Sequence, residues 1–468
     1  MNKYKTLASN TALISLGTIG SKLLVFFMVR FYTGYLTTAE FGTADIITQT
    51  CNLLLPIISL GITNGVFRFA IDSNHDKKSV FSSGLYTITL GGLLFLLIGP
   101  ILSLSSQMQR YLWLIVLYTM ASCYHSLCAQ FIHAKNKTAF FAVQGIINTA
   151  LVIVFNILFL AVFNLGITGY VLSVALADGL TSLIIFFKEK LWCEIIAKPN
   201  KSTLKQMLVF SIPMIPATIF WWVTSVSDRY MVTYFLGEAE NGIYAVSNKL
   251  PTVLTLISTV FMQAWQFSAI SESENDKKEH IEFYGKVWAS FQSVMFLAGS
   301  AITALSIPLI KILTTESFYS AWKFVPMLSL AMVFSAFANF MGSVYVVEKR
   351  SKNSFLTTMV GAVLNIALNF VLIPKIGSQG AAIATFVSYI AVFIIRTYDA
   401  KKYIPFKTHF VTVSINCLIV LLQIGYMLFG LPLNYLVQAA CFGLLFAINF
   451  KFFKAFFKKL LAFVKRRL

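Results

Sequence analysis

Long apolar runs alternate with short polar breaks along the whole chain. Fourteen runs approach or exceed the roughly 20 residues that a helix needs to cross a bilayer. They lie near 8–33, 42–67, 79–103, 109–132, 139–163, 167–187, 207–236, 241–270, 283–313, 321–347, 353–374, 379–398, 408–430 and 433–450. Within lipid each run must satisfy its own backbone, so the pattern predicts an all-α polytopic membrane protein of about 14 transmembrane helices. The first run is long and the next follow at short intervals. That marks it as a retained span and not a cleaved signal peptide.

The polar breaks fall into two alternating sets. One holds Lys3 and Lys5; Lys77 and Lys78; Lys135 and Lys137; Lys188, Lys190, Lys198, Lys201 and Lys205; and Lys277 and Lys278. It continues with Lys349, Arg350 and Lys352; Arg396, Lys401, Lys402 and Lys407; and the tail from Lys451 to Arg467. The other set, including LTTAEF, GEAEN and GLPL, is short and poor in cations. Positive loops stay on the cytoplasmic side, so both termini are expected there, as an even number of spans requires. The tail alternates Lys with Phe and Leu. It is expected to lie on the cytoplasmic membrane surface, drawn to anionic lipid at about 1 kcal/mol per cation.

Two repeats divide the chain. Leu36, Ala39, Glu40 and Gly42 return 200 residues later as Leu236, Ala239, Glu240 and Gly242. Leu165-Gly166-Ile167-Thr168-Gly169, between spans five and six, returns as Ile376-Gly377-Ser378-Gln379-Gly380, between spans eleven and twelve. Glycine pairs suit tight turns anywhere, but equivalent places in both halves indicate a parallel repeat with a cavity between the halves. The basic stretch from Phe187 to Met207 reads as the connector. The expected organisation is an N-terminal six-helix lobe at 1–195, a C-terminal one at 196–402, two additional helices at 403–450 and a basic amphipathic tail at 451–468.

Composition changes the picture in one respect. The chain is 57% hydrophobic and 12% charged, against about 25% charged in soluble domains. A net charge of +19 first points to nucleic acid, but its confinement to alternate loops makes it a topology signal, and no nucleic-acid partner is expected. The six cysteines are scattered, mostly inside apolar runs, with no spacing for a disulfide framework or metal cluster, and no cofactor is expected. No loop is long enough for a catalytic domain and no phosphate-binding loop is present, so an enzyme is not expected. His125 and His133 have no carboxylate near them in sequence and are expected to be structural.

Charges inside spans are the candidate chemistry, because each costs roughly 2.5–3.5 kcal/mol to insert and therefore faces protein or water. Thr11, Ser15, Thr18 and Lys22 form a polar stripe on span one that ends near mid-membrane. Arg30 lies two turns further out. Asp45 opens span two and Arg68 closes it as an interfacial anchor. Asp178, mid-way down span six with Thr181 one turn away, is a cation or proton site or a partner for Lys22. Asp228 and Arg229 occupy the outer third of span seven, as a cavity acid or as a structural ion pair. Lys249 enters span eight beside Asn248, Thr252, Thr255 and Thr259. Pro213 and Pro216 in span seven and Pro251 in span eight remove backbone donors and predict bent helices suited to gating.

The opening TALISLGTIGSKLLVFFMVRFYTGYLTTAEFGTADI and the segment SVSDRYMVTYFLGEAENGIYAVSNKL resemble the two half-starts of bacterial polysaccharide flippases. These belong to the multidrug/oligosaccharidyl-lipid/polysaccharide exporter superfamily. The resemblance covers essentially the whole chain, and its diffuse motifs identify the superfamily better than the substrate. It implies two six-helix lobes in a V around a central cavity, with two further helices. It also implies movement of undecaprenyl-pyrophosphate-linked oligosaccharide from the inner to the outer leaflet of the bacterial plasma membrane. Related lipid II flippases carry cations on their first and eighth helices and an acid on the second; Lys22, Arg30, Lys249 and Asp45 match by position. Lysine stands for arginine at two of them, which weakens a bidentate grip on phosphate.

Physical logic agrees, since a pyrophosphate in a low-dielectric cavity needs compensating cations. The partners expected are the lipid-linked oligosaccharide, membrane lipids, polysaccharide-assembly proteins, and H+ or Na+ acting through Asp45, Asp178 or Asp228. A cation-coupled multidrug exporter would favour an acidic cavity, against the cation excess here. A teichoic-acid or lipid II flippase is nearer. A membrane-embedded glycan polymerase or ligase would need a large outer loop.

Overall fold

The computed structural model describes residues 20–21, 24–72, 74–102, 109–271, 277–348 and 350–465, and among them helices are the regular elements. The polypeptide divides into two compact units, Met1–Trp222 and Val223–Leu468. The first contains α1 (24–35), α2 (Thr38–Ile58), α3 (Ile62–Ile71), α4 (Lys77–Leu102), α5 (Leu112–Ala134), α6 (Thr138–Asn156), α7 (Gly166–Lys188) and α8 (Lys201–Ser211). The division falls within α9 (Ile215–Leu236). The second unit continues with α10 (Glu238–Ser247), α11 (Thr252–Ser271), α12 (Lys277–Ala304), α13 (Ser306–Leu313), α14 (Val325–Val347), α15 (Ser351–Ile376), α16 (Ser378–Ala400), α17 (Phe410–Leu428) and α18 (Asn434–Lys465).

Twelve helices among the described residues are long and apolar enough to span a membrane, and the bent pair α10–α11 makes thirteen. They correspond one to one with the predicted runs from the second onward. The first run, 8–33, lies largely outside the described residues, and Lys22 with it.

Two predicted spans are broken where sequence gave a continuous run. In the second, Pro56 supplies no N–H and the chain turns through Leu60 (φ 49°) and Gly61 (φ 62°). The Gly61 N–H closes back on the Pro56 carbonyl at 2.9 Å before α3 begins. In the eighth, α10 and α11 meet at 45° around Asn248–Pro251, so Lys249 sits in the bend rather than along a helix. Pro213 lies in a three-residue 3-10 turn, Ile212–Met214, and Pro216 is the second residue of α9. These prolines tighten one turn of a continuous Lys201–Leu236 span and do not break it. The tail beyond span fourteen continues α18 without interruption to Lys465.

The connector is pinned to the first unit. Ser82 Oγ donates to the Glu194 carbonyl at 3.1 Å and accepts from the Ile196 N–H at 2.9 Å, and Ser79 Oγ accepts from the Asn200 N–H at 2.7 Å. Lys135 and Lys137 pair with Glu194 and Glu189. The connector's two acids therefore neutralise the lysines of the α5–α6 loop, not the connector's own cations.

The two sequence repeats meet each other. In the first unit Thr37 and Glu40 form a capping box on α2, and Glu40 Oε1 lies 3.2 Å from where a Cβ would stand on Gly166. In the second, Glu240 accepts from the Ser378 hydroxyl at 2.8 Å, immediately after the Gly377 turn. In each half the glutamate thus lies beside the glycine turn, and in the second it bonds to it.

The additional helices α17 and α18 pack on α12 through buried amides. Ser293 Oγ and Asn416 Nδ2 donate to Asn449 Oδ1 at 2.9 and 3.1 Å, and Asn449 Nδ2 returns a bond to Asn416 Oδ1 at 3.1 Å. Ser300 Oγ donates to Gln423 Oε1 at 2.9 Å, and Gln438 Nε2 reaches the Gln423 carbonyl at 3.0 Å. Interhelical hydrogen bonds in lipid contribute about 0.6–2 kcal/mol each. Asn449→Leu is accordingly expected to lower stability by about 1–3 kcal/mol, read as a lower melting temperature in detergent, with Asn416→Leu adding less when combined because the pair is shared. Full additivity would rule the network out.

Candidate functional site

In the first unit, Asp178 on α7 is 8% exposed and is met from two neighbouring helices. Ser122 Oγ, from α5, donates to Oδ2. Asn148 Nδ2, from α6, donates to Oδ1 at 2.8 Å, and His125 Nδ1 lies 3.2 Å from the same oxygen. The opposite ring nitrogen of His125 is 2.7 Å from Gln144 Oε1. Three helices therefore converge on one carboxylate and one imidazole. The reading of His125 as a histidine without a carboxylate is corrected: Asp178 is 53 residues away in sequence and in contact in space. Apolar helices cannot satisfy such a group, so neighbouring polar side chains must.

In the second unit, Asp228 on α9 is 4% exposed. Tyr244 Oη, on α10, donates to Oδ2 at 2.7 Å, and Thr385 Oγ1, on α16, lies 3.3 Å from that oxygen. Oδ1 accepts from the Arg229 backbone N–H at 2.9 Å. Asn365 on α15 links the cluster, its Oδ1 accepting from Ser227 Oγ at 3.2 Å and Asn369 Nδ2 at 2.9 Å, its Nδ2 reaching Thr385 Oγ1 at 3.4 Å. Asn365 and Asn369 are fully buried, and Asn369 Oδ1 has no hydrogen-bond partner among the described residues. The cluster presents a carboxylate, two amide oxygens and a hydroxyl in a dry setting, an oxygen donor set that suits a hard monovalent cation or a proton.

The remaining candidates lie on several elements. Arg30 is exposed on α1, and Asp45 is buried on α2 with Gln49 Nε2 at 3.5 Å. Arg68 is exposed on α3, and Lys249 is half-buried in the α10–α11 bend. Arg229 is half-buried beside Asp228, while Pro213 and Pro216 are exposed. Lys22 lies outside the described residues.

Sequence reading also missed one cation. Arg396, assigned with the inner loop lysines, is 6% exposed and sits within α16. Its Nε donates to Thr357 Oγ1 at 2.9 Å, Nη1 to the Ala338 carbonyl at 2.9 Å, and Nη2 to Thr358 Oγ1 at 2.9 Å and the Ser354 carbonyl at 3.4 Å. The nearby lysines Lys401 and Lys402 made it look interfacial. Only the threonine pair on span eleven could have signalled otherwise.

Comparison with known proteins now decides the family. Residues 7–274 match the family described as polysaccharide biosynthesis protein, more than half of the chain. The chain belongs to that family. Relatives of this polysaccharide biosynthesis protein family member include a probable lipid II flippase MurJ of Thermotoga maritima, 28% identical over 177 residues. That alignment covers 36% of this chain and 37% of the relative, so the chain spans little more than a third of that protein's length in the match. An uncharacterized membrane protein of Methanocaldococcus jannaschii is 22% identical across 81% of this chain and 93% of its own.

Among solved structures, lipid II flippase MurJ in an inward closed conformation superposes with a TM-score of 0.72 at 16% identity, covering 96% of this chain and all of that one. An outward-facing MATE family multidrug resistance transporter of the MOP superfamily gives 0.59 at 14% identity, covering 84% and 94%. At such identities these likenesses establish the fold alone: with its long apolar helices this is a multi-pass membrane protein that shares the architecture of those structures. The relatives and neighbours with named activities are flippases and transporters, not enzymes.

Proposed function

We propose that this family member is a flippase that moves undecaprenyl-pyrophosphate-linked oligosaccharide repeat units from the cytoplasmic to the outer leaflet of the bacterial plasma membrane, by alternating access, for capsule, O-antigen or exopolysaccharide assembly. The carrying observation is the polysaccharide biosynthesis match over residues 7–274. Its functional lobes follow the internal repeat, 1–195 and 196–402, with 403–450 and the 451–468 tail appended. Lys22, Arg30 and Lys249 neutralise the pyrophosphate, and Asp45 is a cavity acid or a coupling site. Energy enters as H+ or Na+ at the buried carboxylates, and Asp228 has the better oxygen set for Na+. Membrane lipids and polysaccharide-assembly proteins are the expected partners.

The test is complementation of a strain lacking its capsule or O-unit flippase. Wild type should restore surface polysaccharide, and Lys22→Glu at matched expression should lose it. Restoration by both would keep the flippase and reject Lys22 as a headgroup contact. A second reading, lipid II as substrate, is favoured by the name of the Thermotoga relative. Rescue of a strain depleted of its lipid II flippase, without rescue of the polysaccharide strain, would select it.

A further inference from the structure

The second unit holds a cavity of about 380 Å³ with a mixed polar and apolar lining, within the roughly 300–1,000 Å³ range of ligand pockets. Thr255, Ser258, Thr259 and Gln263 of α11 form one wall, and Ser335 and Asn339 of α14 another. Arg396 lines it as well. The side chains recur every three to four residues on each helix, so each helix turns one polar stripe inward.

Arg396 is what gives this cavity a chemical preference. Buried guanidinium groups are ordinarily matched by a carboxylate, because an uncompensated charge in low dielectric is costly. Here all the acceptors are neutral: two threonine hydroxyls and two carbonyls. Asp399, one turn along α16, instead accepts from Tyr345 at 2.9 Å, Asn353 at 2.7 Å and Lys402 at 3.1 Å. No carboxylate among the described residues pairs with Arg396. A role confined to tying α14, α15 and α16 together accounts for its own hydrogen bonds. It does not account for the hydroxyls and amides of α11 and α14 that line the same cavity without bonding to the guanidinium.

We propose that this cavity is a phosphoryl-anion subsite, with Arg396 supplying the positive charge and Gln263, Asn339 and the Ser258 hydroxyl supplying hydrogen bonds, while Thr255 and Thr259 already donate to Met332 Sδ and the Thr255 carbonyl. A phosphoryl group needs a fixed cation with several donors around it, and the flanking hydroxyls and amides can take attached sugar or water. Naming the anion as the headgroup of a polyprenyl-linked sugar rests on the flippase reading. The subsite itself does not, because binding is measured without transport.

The test uses the purified full-length protein in nanodiscs of phosphatidylcholine. Undecaprenyl pyrophosphate in the disc and inorganic pyrophosphate in solution are titrated separately, and thermal stabilisation is followed. The double variant Gln263→Leu/Asn339→Leu leaves the Arg396 hydrogen bonds in place. Gly342→Ala acts on the cation instead, since a Cβ there would stand 2.8 Å from Arg396 Nη1 and displace it. Each is expected to weaken binding about tenfold or more, the loss of a hydrogen bond to a charged group. Arg396→Gln should weaken binding more than either milder variant, with the residual affinity left to Lys22, Arg30 and Lys249, and the milder variants decide if it fails to fold.

Stabilisation by the lipid alone assigns the subsite to a membrane-borne headgroup. Equal stabilisation by inorganic pyrophosphate assigns it to a free anion, and either supports the proposal. Wild type unaffected by both probes, or variants that bind as wild type does, would overturn it. Failure of complementation with binding intact would count against the transport reading alone.

Discussion

Asp228→Asn is expected to abolish surface polysaccharide in the complementation assay while the protein still accumulates in the membrane. Asparagine keeps the volume and an acceptor oxygen for Tyr244, which donates to Asp228 at 2.7 Å, so the helix contacts of α9, α10 and α16 survive. What it removes is the negative charge. A unit charge about 4 Å from a cation contributes roughly 4 kcal/mol at an effective dielectric of 20, equivalent to about a thousandfold in cation affinity. Tyr244→Phe deletes one hydrogen bond to the carboxylate and is expected to cost far less, about 1–3 kcal/mol.

Sodium-dependent thermal stabilisation should follow the same order, strong in wild type, weaker in Tyr244→Phe and absent in Asp228→Asn. Asn369→Leu separates a cation from a proton. Among the described residues its Oδ1 is buried without a hydrogen-bond partner, and its Nδ2 bonds Asn365, so a cation held between Asp228 and this asparagine pair would draw on that oxygen whereas a proton on Asp228 would not. Sodium stabilisation lost in Asn369→Leu supports the metal ion. Asp228→Asn that complements as well as wild type would exclude this carboxylate from coupling.

The positions of the spans were legible because the bilayer imposes one requirement, about 20 apolar residues per crossing, that every segment must meet. Charged groups stood out on the same ground, and Asp178 and Asp228 both prove to be centres of buried clusters. Their partners were not legible. Asn148, Asn365, Asn369 and Thr385 are neutral polar residues of a kind found throughout these helices, and hydropathy reports depth without saying which faces meet. His125 illustrates the limit, since its carboxylate comes from two helices further on. Arg396 shows the converse error, because a cation five residues before a lysine pair has the pattern of an interfacial stop, and only packing reveals it enclosed. The breaks near Gly61 and Lys249 were hidden by apolar neighbours that keep the hydropathy high across them.

Backbone proximity carries the other large effect. Gly91 on α4 faces the end of α2, and a Cβ built on it would lie 2.0 Å from the Ile58 carbonyl oxygen and 3.1 Å from its carbon. That oxygen closes α2 directly before the left-handed turn at Leu60 and Gly61, so it cannot yield without moving the break in span two. Gly91→Ala is therefore expected to cost about 3 kcal/mol or more, the upper end for overpacking, and to reduce folded protein sharply in size-exclusion profiles. Gly380→Ala should behave similarly, with a Cβ 2.6 Å from the Leu372 carbonyl carbon and oxygen. Gly145→Ala is the internal contrast. Among the described residues nothing lies within 4 Å of its Cβ position, and alanine in a helix interior is favoured over glycine by about 1 kcal/mol, so it should be neutral or stabilising. If Gly91→Ala and Gly145→Ala melted alike, close approach of α4 to the end of α2 would not be what sets the break, and the turn at Gly61 would have to hold span two open by itself.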